Sequence, residues 1–310
     1  MSFFDQDFFS EIQTVFYDKI QDIQLDIKRE DKIHPYISGN KFRKLKYNIK
    51  QAIDTNQKAI LTYGGAFSNH ISATASAANL CGLKSIGVIR GEELYNKIND
   101  NPTLSYAQKQ GMRLYFISRK DYAEKDSAAE IKKLEKQFGN FYRIPEGGTN
   151  ALAVKGCEEI LTETDNQYDY IACCVGTGGT LAGIINSSFE HQKIYGFSAL
   201  KNHKHEDIKT WTNKTNWQIF QDETFGGYAK TNEDLVKFIN QFYRQTAIKL
   251  DPIYTGKLFY NLSDLIKNKH FPQHSKILAI HTGGLQGVEG FNSQQRAKKR
   301  YNKILNFEDR

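Results

Sequence analysis

The chain has 310 residues, enough for one large or two modest domains with a sizeable buried core. Its 39% hydrophobic and 25% charged content is ordinary for a folded soluble protein and argues against disorder. A formal charge of +7 raises nucleic acid as a partner, but the lysines are scattered and the densest run, Arg296–Arg300, reads as a solvated helix face, so anionic small molecules suit the balance better.

The N-terminus lacks the basic start and apolar core of a signal peptide, and no apolar run is long enough to span a bilayer. Cys81, Cys157, Cys173 and Cys174 form no Cys-x-x-Cys pair, so the expectation is reduced, buried thiols in a cytoplasmic protein without a metal site.

Gln24–Lys28 alternates as a half-buried strand does. Ser38-Gly39-Asn40-Lys41-Phe42-Arg43-Lys44-Leu45 follows, with Lys41 just before a helix read from Lys44 to Ile53 on the spacing of Leu45, Ile49 and Ile53. A lysine becomes an imine-forming nucleophile when burial or nearby positive charge lowers its pKa, and Arg43 and Lys44 supply such charge; the alternative is a solvated basic run. The strand Ala59–Tyr63 breaks at Gly64-Gly65, small residues make a helix through Ala78, and Ser85–Ile89 is a strand. Pro102 opens a helix that Gly111 can close, Arg113–Ile117 is a strand, and a charged helix covers Tyr122 to Gln137. A helix is expected from Ala151, then strands at Tyr170–Val175, Ile194–Phe197 and Lys276–His281. Strands separated by helices predict an α/β fold with parallel sheet covered on both faces, and with no linker any second domain is an insertion in contact with the first.

Ligands in such sheets collect beyond the carboxyl ends of the strands, and three of these ends carry glycines. Gly176-Thr177-Gly178-Gly179-Thr180 suits an anion: glycines allow close approach, the amides point inward and a helix N-terminus follows. Leu181 stands where a dinucleotide fingerprint needs its third glycine, so an oxidoreductase reading rests on little. In Gly64-Gly65-Ala66-Phe67-Ser68-Asn69-His70, Ser68 and Asn69 are either helix caps or carboxylate ligands, and His70 is either an acid–base group or a satisfied helix residue. At His281-Thr282-Gly283-Gly284, Thr282 is either an ordinary strand end or a neutral partner for a ring nitrogen.

From about Lys28 to Gly284 the chain resembles pyridoxal-5′-phosphate enzymes of the tryptophan synthase β-subunit fold, specifically the 1-aminocyclopropane-1-carboxylate deaminase and D-cysteine desulfhydrase family. The resemblance is carried by Gly39–Leu45, Ser68–His70, Pro145–Asn150, Gly176–Thr180 and Leu250-Asp251-Pro252-Ile253-Tyr254-Thr255-Gly256-Lys257. It implies a fold-type II enzyme with two domains of twisted parallel sheet flanked by helices: a larger cofactor domain of 1–44 and 151–310, and a smaller inserted domain of 45–150. It further implies pyridoxal phosphate as cofactor, a small amino-acid substrate and a homodimer, with neither nucleic acid nor membrane as partner. By resemblance Lys41 carries the cofactor as an imine and acts as base; Gly176, Thr177, Gly178, Gly179 and Thr180 hold the phosphate; Asn69 lies against the ring; and Ser68 is near the substrate carboxylate or reacting carbon. Tyr228 and Tyr254 match the family's active-site tyrosines, and without the match each reads as an ordinary buried tyrosine.

Cyclopropane deaminases carry a glutamate directly after the second tyrosine, where it meets the pyridine nitrogen; here that position is Thr255, and the sheet-end residue is Thr282. A hydroxyl holds the ring nitrogen protonated less firmly than a carboxylate does. The expectation is therefore α,β-elimination on D-cysteine to pyruvate, hydrogen sulfide and ammonia, ahead of cyclopropane ring opening. A non-enzymatic cofactor-binding protein is the third reading, and the retained Lys41 and tyrosines weigh against it.

Overall fold

The computed structural model describes residues 3–6, 8–18, 20–201, 205–221 and 224–308. Its strands are β1 (Ile12–Asp18), β2 (Ile23–Lys28), β3 (Ala59–Gly64), β4 (Lys84–Arg90), β5 (Met112–Ile117), β6 (Tyr142–Arg143), β7 (Tyr170–Val175), β8 (Lys193–Ser198), β9 (Trp217–Phe220) and β10 (Lys276–Ile280). Its helices are α1 (Asn40–Asp54), α2 (Asn69–Leu80), α3 (Pro102–Lys109), α4 (Arg119–Ala123), α5 (Ala128–Phe138), α6 (Ala151–Glu158), α7 (Gly179–Ser187), α8 (Glu233–Thr246), α9 (Thr255–Lys267) and α10 (Gly287–Ala297).

These form a six-stranded sheet in the order β1-β2-β10-β7-β8-β9 and a four-stranded sheet in the order β5-β4-β3-β6. The smaller sheet is wholly parallel. The larger is parallel from β2 onward, and β1 adds an antiparallel edge that the strand–helix alternation did not predict. β3 and β7 are buried along their full length, as strands covered on both faces must be. Leu235, Ile239, Leu258 and Leu262 of α8 and α9 cover one face of the larger sheet, and Cys157, Leu181, Ile184 and Ile185 of α6 and α7 cover the other. In the smaller sheet Ile49, Ala73 and Ala77 lie on one side and Tyr122 and Leu134 on the other.

The expected elements need several corrections. Helix α1 begins at Asn40, so Lys41 is inside its first turn; the buried stripe is Phe42, Leu45, Ile49 and Ala52, while Ile53 is exposed. The charged segment read as one helix over 122–137 is two, because the side chain of Ser127 caps a new start at Ala128. Helix α10 ends at Ala297, so most of the Arg296–Arg300 run lies beyond it, exposed to solvent. Cys157, Cys173 and Cys174 are buried free thiols, whereas Cys81 is only partly buried. Strands β1 and β9 escaped the sequence reading because their burial pattern is mostly exposed or intermediate, which leaves little apolar periodicity to detect. Among the described residues no helix is long and apolar enough to cross a membrane.

Close backbone approach fixes how the site helices meet. A Cβ on Gly156 of α6 would lie 1.9 Å from the carbonyl oxygen of Arg43, so α6 packs directly on the backbone of α1. That contact sets α1, and with it Lys41 and Lys44, beside the carboxyl end of the larger sheet.

Candidate active site

One cavity gathers the glycine-marked strand ends. It is lined by Lys41 and Lys44 of α1, Ser68, Asn69 and His70 at the start of α2, the loop after β7, Tyr228, Tyr254, and Thr282 to Gly284 after β10. Of the predicted phosphate loop, Gly176, Thr177, Gly178 and Thr180 face the cavity. Gly179 instead sits against Thr149, where a Cβ would come within 2.9 Å of the Thr149 hydroxyl.

Lys41 opens to the cavity at its tip but lies deep within the molecule, so burial lowers its pKa below the ordinary lysine value. Its Nζ donates to Asn40 Oδ1 at 3.3 Å, and Asn40 Nδ2 donates to Thr180 Oγ1 at 2.9 Å, which ties the lysine to the loop after β7. Arg43, expected to help lower this pKa, turns away: its guanidinium donates to both oxygens of the buried Glu30 at 2.9 Å. Desolvation is the cause, rather than the arginine.

Lys44 is the residue that sequence reasoning passed over. It is 2% exposed, and its Nζ donates to Gly147 O and Thr149 Oγ1 at 2.9 Å each and to Thr177 Oγ1 at 3.2 Å. Among the described residues no carboxylate pairs with it. Burial, followed by the charge of Lys41, lowers its pKa to about 7. Beside it α7 starts at Gly179 after Gly178 at φ +83°, with no capping side chain, so its first amides are open to an anion. An unpaired ammonium, threonine hydroxyls and an uncapped helix start fit a phosphate monoester. Lys41 and Lys44 are three residues apart on α1 and so share a face; a helix start placed at Lys44 hid that signal.

At the opposite wall, Ser68 is the N-cap of α2 and accepts from Ile71 N at 3.4 Å, so the capping role is realised while its side chain still lines the cavity. Asn69 packs toward Gly284, where a Cβ would come within 2.8 Å of Asn69 Nδ2. His70 Nε2 lies 2.8 Å from Thr62 Oγ1, which itself donates to Ile144 O at 2.9 Å. With that proton committed, Nε2 carries the ring hydrogen, and among the described residues the buried Nδ1 has no hydrogen bond of good geometry. Burial, then the charges of Lys41 and Lys44, hold the His70 pKa well below normal, so the ring is neutral and is no proton reservoir.

Tyr228 and Tyr254 form an edge-to-face pair with centroids 6.1 Å apart. Tyr228 is 45% exposed at the mouth, whereas Tyr254 stands against Gly176, whose Cβ would lie 3.4 Å from the phenol oxygen. Burial raises both phenol pKa values, that of Tyr254 strongly, so both are protonated at neutral pH. Asp251, absent from the expected site, positions Tyr254: its carboxylate accepts from Ile253 N and Tyr254 N at 2.8 Å, from Thr255 N at 2.9 Å and from Thr255 Oγ1 at 2.7 Å. Thr255 therefore faces Asp251 rather than the cavity. Thr282 does line the cavity, and its Oγ1 lies 3.0 Å from Cys174 Sγ.

A lysine in the first turn of a helix and an anion cradle beside it, in one cavity at the carboxyl ends of the strands, define a pyridoxal-phosphate enzyme of fold-type II. The family model of pyridoxal-phosphate-dependent enzymes matches residues 17–283, and the chain belongs to that family, among its 1-aminocyclopropane-1-carboxylate deaminase and D-cysteine desulfhydrase members. It is 30% identical over 295 residues to a bifunctional D-cysteine desulfhydrase/1-aminocyclopropane-1-carboxylate deaminase of Arabidopsis thaliana, covering 86% of this chain and 73% of that one. It is 33% identical over 286 residues to a putative 1-aminocyclopropane-1-carboxylate deaminase of Pyrococcus horikoshii, covering 84% and 85%. A crystal structure of an ACC deaminase homologue superposes with a TM-score of 0.81 at 27% identity over 94% of both chains.

Proposed function

We propose that the protein catalyses α,β-elimination on a small amino acid, D-cysteine foremost, releasing hydrogen sulfide and an unsaturated amine that one water molecule hydrolyses to pyruvate and ammonia. The observation that carries this reading is the lining itself: among the described residues it contains hydroxyls, amides and amines but no carboxylate. Thr282 stands at the sheet end and the Thr255 hydroxyl is committed to Asp251. Without an acid to hold the ring nitrogen protonated, electron withdrawal is weaker, and expulsion of a good leaving group such as thiolate is favoured over opening a carbon ring.

When bound, pyridoxal phosphate supplies an electron-accepting ring conjugated to the substrate nitrogen. Lys44, the first amides of α7, Thr177 and Thr180 would hold its phosphate, and Asn69 would contact its ring. Lys41, with its lowered pKa, would hold the cofactor through its Nζ, and the same amine would serve as the base for the substrate's α-proton. Ser68 receives the substrate carboxylate. Tyr254, a neutral phenol, would donate a hydrogen bond to the departing thiolate, and Tyr228 covers the mouth. The same reading assigns 1–44 with 151–310 to the cofactor domain and 45–150 to the insert, in a homodimer.

Cyclopropane ring opening is the second reading, favoured by the names of the relatives and by Ser68 and Tyr254 facing one cavity. Sulfide and pyruvate from D- and L-cysteine, measured beside 2-oxobutanoate from the cyclopropane amino acid, decide between them. Turnover of the cyclopropane compound alone overturns the first reading. A colourless protein that takes up no pyridoxal phosphate overturns both.

A further inference from the structure

Cys174 on β7 and Thr282 just past β10 lie at the ends of neighbouring strands, with Sγ and Oγ1 3.0 Å apart. They are 7% and 5% exposed, and both face the cavity. A threonine hydroxyl has one proton and can accept from other donors. Either it gives the proton to sulfur and turns a lone pair toward the cavity, or it accepts the thiol proton and points its own into the cavity. Sulfur is a weak acceptor, whereas an uncharged aromatic nitrogen is a good one. The second arrangement places the hydroxyl proton on the stronger acceptor and leaves neither thiol nor hydroxyl unsatisfied.

We infer that Cys174 is a positioning residue: its thiol donates to Thr282 Oγ1 and thereby aims the Thr282 hydroxyl at the unprotonated ring nitrogen of the cofactor. This rests on the pyridoxal-phosphate reading and deepens it. Cys174 acts by fixing the direction of one hydroxyl. The neighbouring Cys173 Sγ donates to the Cys174 carbonyl at 3.4 Å.

The test is a double-mutant cycle on the dissociation constant of pyridoxal phosphate, with the absorbance of the bound cofactor as a second readout. Cys174→Val should weaken binding roughly threefold to tenfold, the worth of one hydrogen bond, and shift the bound-cofactor band. Cys174→Ser, which keeps a donor, should restore both. Adding Cys174→Val to Thr282→Val should change nothing further, because the valine at 282 has already removed the group that Cys174 directs. Repeating the titration with a cofactor analogue that has carbon in place of the ring nitrogen should abolish the Cys174→Val effect. Additive losses, or the same loss with the carbon analogue, would mean that Cys174 only packs the core and would overturn the inference. Unfolding curves of the cofactor-free variants exclude misfolding as the cause. If the wild type binds no pyridoxal phosphate, the underlying reading fails instead.

Discussion

The carbonyl oxygen of Thr282 lies 2.1 Å from the point where a Cβ on Gly39 would stand, and Gly39 holds φ +59° immediately before the lysine helix. That carbonyl also accepts from Asn40 N at 3.3 Å, so the start of α1 is fastened to the end of β10 by backbone alone. Gly39→Ala should therefore do two kinds of damage, a left-handed backbone penalty and a clash with main chain that cannot swing aside. A loss of roughly 2–5 kcal/mol is expected in denaturant unfolding, with cofactor occupancy falling in parallel. An unchanged unfolding midpoint would refute this account of the junction.

Lys44 supplies the pH dependence. Its pKa in the folded, cofactor-free protein is held at about 7, whereas in the unfolded chain it is about 10.4. Between those values the unfolded chain binds more protons, so stability should rise with pH across this window. The burden is complete below about pH 7 and relieved above the unfolded value. Lys41, lowered in the same direction, adds to the slope. Lys44→Met should make the slope shallower while weakening pyridoxal phosphate binding about tenfold to a hundredfold, through loss of a charge-assisted phosphate contact. Chemical denaturation at several pH values, with and without the cofactor, measures both.

The two tyrosines should separate kinetically. Tyr254→Phe is expected to lower kcat about a hundredfold or more with the cofactor spectrum retained, because it removes an enclosed protonated phenol positioned to hydrogen-bond the charge developing on the leaving sulfur. Tyr228→Phe, half-exposed at the mouth, should act mainly on KM. Steady-state kinetics on D-cysteine distinguish them, and equal effects on kcat would contradict the division of labour.

Restoring the acid by sequence analogy should fail. Thr255→Glu would place a second carboxylate against Asp251, with no room at a position that is 0% exposed. The expected result is destabilisation by roughly 3 kcal/mol or more, measured by thermal unfolding, with no gain in cyclopropane turnover. Asp251→Ala should cost less stability but loosen Tyr254, because it strips the acceptors of Ile253 N, Tyr254 N and Thr255 N.

Much of this was already legible along the chain. The strands β3, β7 and β10 are near-continuous apolar runs that stop at glycines, and burial on both faces leaves no other composition open to them. Those glycine stops marked the strand ends at which Ser68, Thr177 and Thr282 line one cavity with Lys41, because close backbone approach demands glycine wherever in the fold it occurs. Local signals of that kind depend on a residue and its near neighbours, and sequence determines them.

What the sequence left open were partners far apart in the chain. Nothing near Lys44 says that its amine meets Gly147, Thr149 and Thr177, and nothing near Arg43 says that Glu30 takes its charge away from Lys41. Nor does the order of residues reveal that Thr255 turns to Asp251 while Thr282 turns to Cys174. Hydrogen bonds and desolvation act over a few ångströms of space regardless of separation along the chain, so only the folded arrangement of α1, α9, β7 and β10 assigns them. The sequence by itself determined an α/β chain with a lysine set among glycine-marked strand ends; the tertiary structure decided which amine meets the anion cradle and which hydroxyl faces the cavity.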